Sequence, residues 1–348
     1  MSWLALRMIL AILHSVLEAA GKHHVEDSQH PIALLWRQYS PCLEGPLLHL
    51  PSKVEADGRA QPLASAVEVI TAACALPWLL PEAIGLVTQT ARVRASEMET
   101  CLTALNLVLQ KLPCPPLEEA AAVKVACMAV HEITEVAVGQ REAMQEPATV
   151  KALYALWTRG LALGGGQAFG GLLRRGLLSN IVLVERLLAI LCVTLPVFAS
   201  DSLLRWLTLL LPKVGAPDYT PELTLVLIKA LPTLCSALCT SLAEQESLSN
   251  WDGGFLDAAE FLYVAAGCFA EFWKALAVGL QSIDWLSAWS RQQFLEHLEH
   301  RHEWPSRSRW MSTLQQIVQD WQREQKQDHK TFVEGVHRVL QARGGSVT

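Results

Sequence analysis

The sequence has little that would form a β-sheet and no uncharged run long enough to cross a membrane. No segment alternates polar and apolar residues between hairpin turns, so almost no sheet is expected. The longest uncharged stretches, such as Leu187–Ser200, have 14 residues, whereas a transmembrane helix needs about 20 predominantly apolar residues. The sequence alone therefore predicts no transmembrane segment.

Charged residues are also scarce, and their balance does not favour a nucleic-acid partner. Only 18% of the residues are charged, the formal net charge is −6, and 51% of the chain is hydrophobic. A chain this apolar can build a core, which excludes disorder as a description of the whole. Non-specific nucleic-acid binders usually carry a basic excess. No direct contact with nucleic acid is therefore expected.

Nine cysteines are present, without the regular spacing of a disulfide framework. An odd number of thiols among apolar neighbours indicates reduced, buried side chains and hence a nuclear or cytoplasmic location. Cys235 and Cys239 lie four residues apart in an apolar segment, which favours core packing over a redox pair.

The first 22 residues are predicted to form an amphipathic helix. A cleaved signal peptide and a helix lying on a membrane surface are the alternatives.

What the sequence has in abundance is apolar residues at spacings of three and four, the period of an α-helix. One such stripe consists of Leu203, Leu204, Leu207, Leu210 and Leu211. A residue that precedes proline avoids the α region. A helix end or kink is therefore expected at five leucine–proline pairs, those of Pro81, Pro113, Pro196, Pro212 and Pro232.

Short helices with apolar residues on more than one face cannot bury those faces singly, so they must stack. In this pattern of short, largely apolar helices, the chain resembles α-solenoids of the HEAT/armadillo class over about residues 60–290. The resemblance implies an all-α fold, an irregular α-solenoid in which HEAT/armadillo-like helical hairpins pile into a superhelix. A single irregular helical bundle is the structural alternative.

The organisation expected along the chain follows the positions of glycine, proline and charge. The expected parts are N-terminal helical repeats at 1–163 with an exposed loop at 40–62, a glycine-rich corner at 164–176, C-terminal helical repeats at 177–290, amphipathic capping helices at 291–343 and a disordered tail at 344–348. Because the helical pattern starts abruptly, these features also fit a fragment or isoform of a longer solenoid.

A glycine cluster in LALGGGQAFGGLLRRG, residues 161–176, has the composition of a phosphate-binding loop. A dinucleotide fingerprint, however, needs a strand directly before its glycines, and a P-loop needs G-K-[ST]. Neither is present, because the preceding residues have a helical pattern. The cluster is interpreted as a corner with Arg174 and Arg175 on the first exposed turn of the next helix. An enzyme that uses this loop is the less favoured alternative, and no cofactor is expected.

Two histidine-containing segments have part of the spacing that zinc sites use. The segment His131–Glu135 begins like H-E-x-x-H but ends in glutamate, so an exposed polar helix edge is expected. His297 and His300 could share a metal on one helix face, but Arg301 stands within the group and a solvated helix end is favoured. No catalytic residue, metal ligand or small-molecule substrate is predicted.

Tryptophan is concentrated near the C-terminus, where six of the twelve lie between Trp273 and Trp321. Tryptophan and arginine are enriched in the hot spots of protein–protein interfaces. Ordinary packing of a terminal cap would also account for the cluster. The predicted partner-binding residues are Trp285, Trp289, Arg291, Trp304, Arg307, Arg309, Trp310 and Trp321.

These observations favour a non-enzymatic helical-repeat scaffold that binds protein partners. The Leu/Ala/Trp/Cys-rich texture is similar to that of the vertebrate meiosis inhibitor family, which consists of long helical-repeat proteins. That resemblance implies a nuclear scaffold in meiotic chromosome synapsis and recombination. A cytosolic adaptor or a transport-type solenoid is the alternative, since such folds host many roles.

Overall fold

The chain is mainly α-helical in the computed structural model, and no strand occurs among the residues that it describes. Those residues are 3–22, 31–39, 69, 72–73, 80–93, 98–111, 119–162, 168–211, 220–244 and 253–344. The prediction of an all-α protein is confirmed for this part of the chain. The predicted loop at 40–62 lies outside the described residues.

The chain divides into two compact units, Met1–Leu183 and Val184–Thr348. The helices of unit 1 are α1 (Trp3–Lys22), α2 (Pro31–Tyr39), α3 (Leu80–Val93), α4 (Met98–Lys111), α5 (Glu119–Gly139), α6 (Pro147–Ala162) and α7 (Ala168–Leu178). Helix α8 (Ile181–Thr194) begins just before the boundary. The helices of unit 2 are α9 (Asp201–Leu210), α10 (Pro221–Glu244), α11 (Gly253–Cys268), α12 (Phe272–Gln281), α13 (Ala288–Glu299) and α14 (Arg307–Gly344).

Within each unit, helices pack mainly against the next helix but one along the chain. In unit 1, α5 contacts both α3 and α7, while α4 contacts α6. In unit 2, α11 contacts α9 and α13, α10 contacts α12, and α14 packs against α10, α11 and α13. Two helices separated by a third can be neighbours only if the intervening helix lies in another row. Helices α3–α7 in unit 1 and α9–α13 in unit 2 therefore alternate between two rows.

The apolar stripes account for this packing. The leucines of α9 are buried, as are Leu234, Leu238 and Cys239 of α10. Each fully buried leucine contributes about 1.5–3 kcal/mol relative to an exposed one. Since Cys235 is also buried, the prediction that Cys235 and Cys239 pack in the core is confirmed.

Proline ends helices at three of the five predicted positions. Helices α4, α8 and α9 each end two residues before a proline, namely Pro113, Pro196 and Pro212. At Pro81 a helix begins instead, because a proline in the first turn removes only an N–H group that would be unpaired anyway. At Pro232, where a helix end or kink is predicted, no helix end occurs, since α10 continues through this residue. The burial of leucines on both sides offsets the cost of about 3 kcal/mol.

The glycine-rich segment is mostly helical where the structure describes it. Helix α7 starts at Ala168, so the predicted corner at 164–176 is helical over its described part, and residues 164–167 lie outside the described residues. A Cβ atom on Gly176 would collide with the thiol of Cys127, so this glycine lets α7 approach α5 closely. The placement of Arg174 on an exposed turn is wrong, because Arg174 is 7% exposed, whereas Arg175 is exposed.

The C-terminal segment of unit 2 consists of two helices, α13 and α14, in the region where capping helices are predicted at 291–343. Ser287 caps α13, since its hydroxyl accepts a hydrogen bond of 3.1 Å from the Ser290 amide. Glu324 of α14 accepts hydrogen bonds from the Ser287 amide and the Ser290 hydroxyl. These bonds fix the start of α13 on α14. Of the predicted disordered tail, residues 345–348 lie outside the described residues.

One described helix, α10, is long and apolar enough to cross a bilayer. A second candidate arises if Gly171–Leu178 and Ile181–Thr194 are counted together as one broken span. The uncharged runs of the sequence do not reveal α10, because Lys229 divides the uncharged residues of this helix into two shorter runs. Half of its most apolar window is buried inside the protein, as in the core helices of soluble proteins. The absence of a transmembrane segment stays a prediction.

Gly279→Ala is expected to destabilise unit 2. A Cβ atom at this position of α12 would lie 2.8 Å from the amide nitrogen of Ser236 and 3.0 Å from the carbonyl oxygen of Cys235, both on α10. Because backbone cannot yield as a side chain can, overpacking should cost about 1–3 kcal/mol in the free energy of unfolding. Chemical denaturation measures this loss.

The matched control is Gly171→Ala in α7, where nothing lies within 4 Å of the added Cβ. It should stabilise its helix by up to about 1 kcal/mol, since alanine has the higher helix propensity. Equal stability of the Gly279→Ala variant and the wild type would contradict the close approach of α10 and α12.

Candidate functional site

A groove in unit 2 lies between α9, α11 and α14 and has a cavity volume of about 580 Å³. We call it the arginine groove. Its charged residues are Arg205 on α9, Asp257 and Glu260 on α11, and Arg307 on α14. The groove exists because α14 packs on α11 beside the α9–α11 pair. Its volume lies within the range of about 300–1,000 Å³ that is typical of ligand sites.

The first ion pair of the arginine groove joins Arg205 to Asp257. The Arg205 Nη1 atom donates to Asp257 Oδ1 at 3.1 Å. The Thr208 hydroxyl lies 3.0 Å from the backbone carbonyl oxygen of Asp257, to which it can donate, and so ties α9 to α11. Burial raises the pKa of Asp257 above its ordinary value, and the charge and hydrogen bond of Arg205 oppose that rise. Arg205 therefore favours the charged form of a carboxylate that burial disfavours.

The second ion pair joins Arg307, at the start of α14, to Glu260 on α11. The Arg307 guanidinium also lies over the ring of Tyr263, 4.8 Å from its centroid. A cation held over an aromatic face gains about 0.5–1 kcal/mol at an exposed site. Arg307 is thus held in position by a carboxylate on one side and a ring on the other.

Besides its charged residues and Thr208, the groove has an apolar lining. It is lined by Leu256, Val264 and Met311, all partly exposed, and by the buried Leu209 and Leu211. Methionine adapts its shape to different partners and is common at binding surfaces. An apolar floor with fixed charges at its mouth can bind an apolar side chain while orienting a polar group next to it.

A buried histidine–tryptophan pair supports the α14 side of the groove. The His297 ring on α13 stacks on Trp310 of α14, with ring planes 9° apart. His297 Nε2 lies 2.9 Å from the Trp310 carbonyl oxygen, and Trp310 Nε1 donates to the His297 carbonyl oxygen at 3.3 Å. Trp310 also meets Tyr263 edge-on, with ring centroids 5.1 Å apart. This pair links α13, α14 and α11 behind Arg307.

The predicted partner-binding residues fall into different environments. Trp310 and Trp321 are 0% and 1% exposed, so their predicted role at a surface is wrong and they pack the core of unit 2. Trp289 is 69% exposed, and Arg307 lies in the groove. The others range from half-buried to exposed: Trp285, Arg291, Trp304 and Arg309. Sequence position alone did not separate core from surface tryptophans.

Most charged residues of the groove were missed by reasoning from the sequence. Arg205 and Asp257 lie in largely apolar helices that hold one other charged residue each, Asp201 in DSLLRWLTLL and Glu260 in FLDAAEF. A charge on a largely apolar helix that becomes buried requires a partner, because burying it unpaired is costly. That signal could have identified these two residues, though not their partners.

The histidine segments occupy more buried places than expected. Within His131–Glu135 only Glu135 is exposed, and His131 Nε2 lies 3.1 Å from the carbonyl oxygen of Leu177. The expectation of an exposed polar edge agrees with Glu135 and with the Glu132 side chain, which is 41% exposed, and is wrong for the buried Ile133 and Thr134. The expectation of a solvated helix end is wrong for buried His297 and agrees with exposed His300. No cluster of three potential metal ligands occurs among the described residues.

The glycine cluster lacks the structural context of a dinucleotide fingerprint. The residues before it form helix α6, which ends at Ala162, where the fingerprint requires a strand.

Comparisons with protein-family models, curated proteins and solved structures found no match to this chain.

The stability of unit 2 is expected to fall as the pH is lowered below about 6.5. Burial lowers the pKa of His297, although the hydrogen bond between His297 and the Trp310 backbone acts to raise it. The unfolded chain, with the ordinary histidine pKa, therefore binds the proton first, and protonation favours unfolding. Urea unfolding of the wild type should give a smaller free energy at pH 5.5 than at pH 7.5, and His297→Gln should reduce this difference.

In unit 1, His131 adds a pH dependence of the same sign to the unfolding of the whole chain, because burial also lowers its pKa. The difference should therefore shrink in the His297→Gln variant without vanishing. His329→Gln, at an exposed position of α14, is the control and should behave as the wild type. An unchanged pH dependence in His297→Gln would contradict the buried, neutral state of His297.

Cys268 is expected to react with N-ethylmaleimide before the other described cysteines. It is exposed, whereas Cys101, Cys127, Cys192, Cys235 and Cys239 are buried. Burial raises the pKa of Cys127 and Cys192 to about 11 and that of Cys235 to about 12. Because the thiolate is the reactive form, buried thiols should react slowly.

Mass spectrometry of peptides after brief labelling of the folded protein measures this order. A denatured sample, in which every thiol is accessible, is the control. Labelling of Cys235 as fast as Cys268 in the folded protein would contradict the described core of unit 2.

Proposed function

We propose that this chain is a non-enzymatic helical-repeat scaffold that binds protein partners. Each unit is an irregular α-solenoid of the HEAT/armadillo type. The next-but-one packing of α3 with α5 and of α10 with α12 supports this proposal. Stacked hairpins place each helix beside the equivalent helix of the next hairpin. In an up-and-down bundle, helices adjacent in sequence would make most of the contacts instead.

The single observation that carries the binding role is the arginine groove. Its guanidinium groups are half exposed, with side-chain exposures of 56% for Arg205 and 47% for Arg307. Arginine is enriched at hot spots of protein–protein interfaces, as are aromatic residues such as Tyr263 beside it. An open groove with an apolar floor suits a side chain of a protein partner.

The resemblance to the vertebrate meiosis inhibitor family gives the proposal a biological setting. In that setting the chain is a nuclear scaffold in germ cells, where it takes part in meiotic chromosome synapsis and recombination. The partners are then proteins of the meiotic chromosome. Tests of this setting therefore need germ cells as well as purified protein.

Cross-linking of the full chain in germ cells tests the proposed function. Cross-linked peptides from partners should map to α9, α11 and α14. Val264→Trp fills the arginine groove without changing its charge, so it should lower the recovery of such partners by about tenfold, the factor that corresponds to 1.4 kcal/mol of binding. Binding of each purified partner to the full chain should fall by a similar factor.

Arg323→Gln is the matched control, because Arg323 forms an exposed ion pair with Asp320 on α14 and does not line the groove. Point variants are preferable to removal of α14, since Trp310 and Trp321 are core residues. Thermal melts verify that each variant folds. Partners that bind Val264→Trp as well as the wild type would overturn the role of the groove.

A further inference from the structure

We propose that the arginine groove binds an acidic segment of a partner protein, in which an aspartate or glutamate lies beside a large apolar side chain. The partner's carboxylate bridges to the guanidinium groups of Arg205 and Arg307, and the apolar side chain fills the space above Val264 and Met311. This inference rests on the proposed function, because it names the chemistry of the partner at the same site.

The ion pairs leave hydrogen-bond donors at the mouth of the groove. A guanidinium has five N–H donors in a planar fork. Arg205 uses one of them in its hydrogen bond to Asp257. The side-chain exposures are 56% for Arg205 and 12% for Asp257, and 47% for Arg307 and 31% for Glu260. The carboxylate side chains are thus the more buried partners, and the arginine side chains are the more exposed ones.

Charge complementarity indicates whether the partner's segment is acidic or basic. A basic segment would approach two half-exposed guanidinium groups before it reached carboxylates that are already paired. A carboxylate meets donors first, and the fork of arginine matches both of its oxygens. Asp257 and Glu260 hold the guanidinium groups in place, so little side-chain entropy is lost on binding.

The apolar lining explains why the partner needs more than a carboxylate. Leu256, Val264 and Met311 are each partly exposed, and they lie in the same cavity as the guanidinium groups. A leucine or phenylalanine beside the acidic residue would cover them and remove water from the ion pairs. Electrostatic interactions strengthen when water is excluded.

A library of random linear peptides displayed on phage tests this proposal against the full chain. Selected peptides should be enriched in aspartate or glutamate beside leucine, phenylalanine or methionine. For the best peptide, Arg307→Gln should raise the dissociation constant by about tenfold, since a charge-assisted hydrogen bond is lost. Replacing the acidic residue of the peptide by its amide should have a similar effect.

A double-mutant cycle shows whether the two effects share one contact. On the Arg307→Gln variant, the acid-to-amide change in the peptide should have a smaller effect than on the wild type, because only Arg205 then remains to meet the carboxylate. Arg307 is only partly buried, so Arg307→Gln is expected to fold. Val264→Trp, which keeps both arginines, should also prevent binding. Arg323→Gln should bind as the wild type does.

Additive effects in the cycle, or selection of basic peptides, would overturn the acidic partner. Selected peptides that bind Val264→Trp unchanged would also overturn it, because they must bind elsewhere. These failures concern the partner's chemistry alone. If partners from germ cells still depend on the groove, the proposed function stands without this inference, whereas loss of that dependence overturns the proposed function itself.

Discussion

The structure depends on the burial of apolar helix faces against two neighbours at once. In α10 and α12, the contact is close enough that Gly279 lies against the backbone at Cys235 and Ser236. A helix with apolar residues on several faces exposes too much hydrocarbon when it contacts only one partner. Placing each helix beside the next but one, with the intervening helix in a second row, covers those faces. The same constraint explains why glycine lies at close contacts inside helices.

The burial of helix faces against two neighbours also determines where charged residues can lie. A charged residue on a covered helix must either reach solvent or meet an opposite charge, because an unpaired buried charge is costly. Asp257 is 8% exposed and α11 is largely apolar, so its carboxylate requires Arg205 from the neighbouring helix. Charge pairing across α9 and α11 is therefore a consequence of the packing, and it leaves the guanidinium at the rim. The groove takes its polar character from this geometry.

The class of fold could be predicted from the sequence because the spacing of apolar residues reports local helix geometry directly. Proline was a weaker guide, since Pro232 lies inside a helix whose buried leucines outweigh the lost hydrogen bond. The site was predicted only in part. Composition pointed to Arg307, but it could not separate Trp289, which is exposed, from Trp310, which is buried, because that difference depends on which helix covers each ring. Pairings such as Arg307 with Glu260 join residues 47 positions apart, and no local pattern encodes them.

The two ion pairs of the arginine groove therefore bear both on the stability of unit 2 and on the proposed binding of a partner. Arg205 and Arg307 join neighbouring helices of unit 2, yet each guanidinium remains about half exposed. An exposed ion pair adds little to stability on its own, typically about 0–1 kcal/mol. Its larger effect is to restrict a flexible arginine to one position, which lowers the entropy that a partner must remove on binding. In the proposed binding role, the carboxylate paired with each arginine would therefore contribute more to binding than to folding, because it holds the guanidinium in one position.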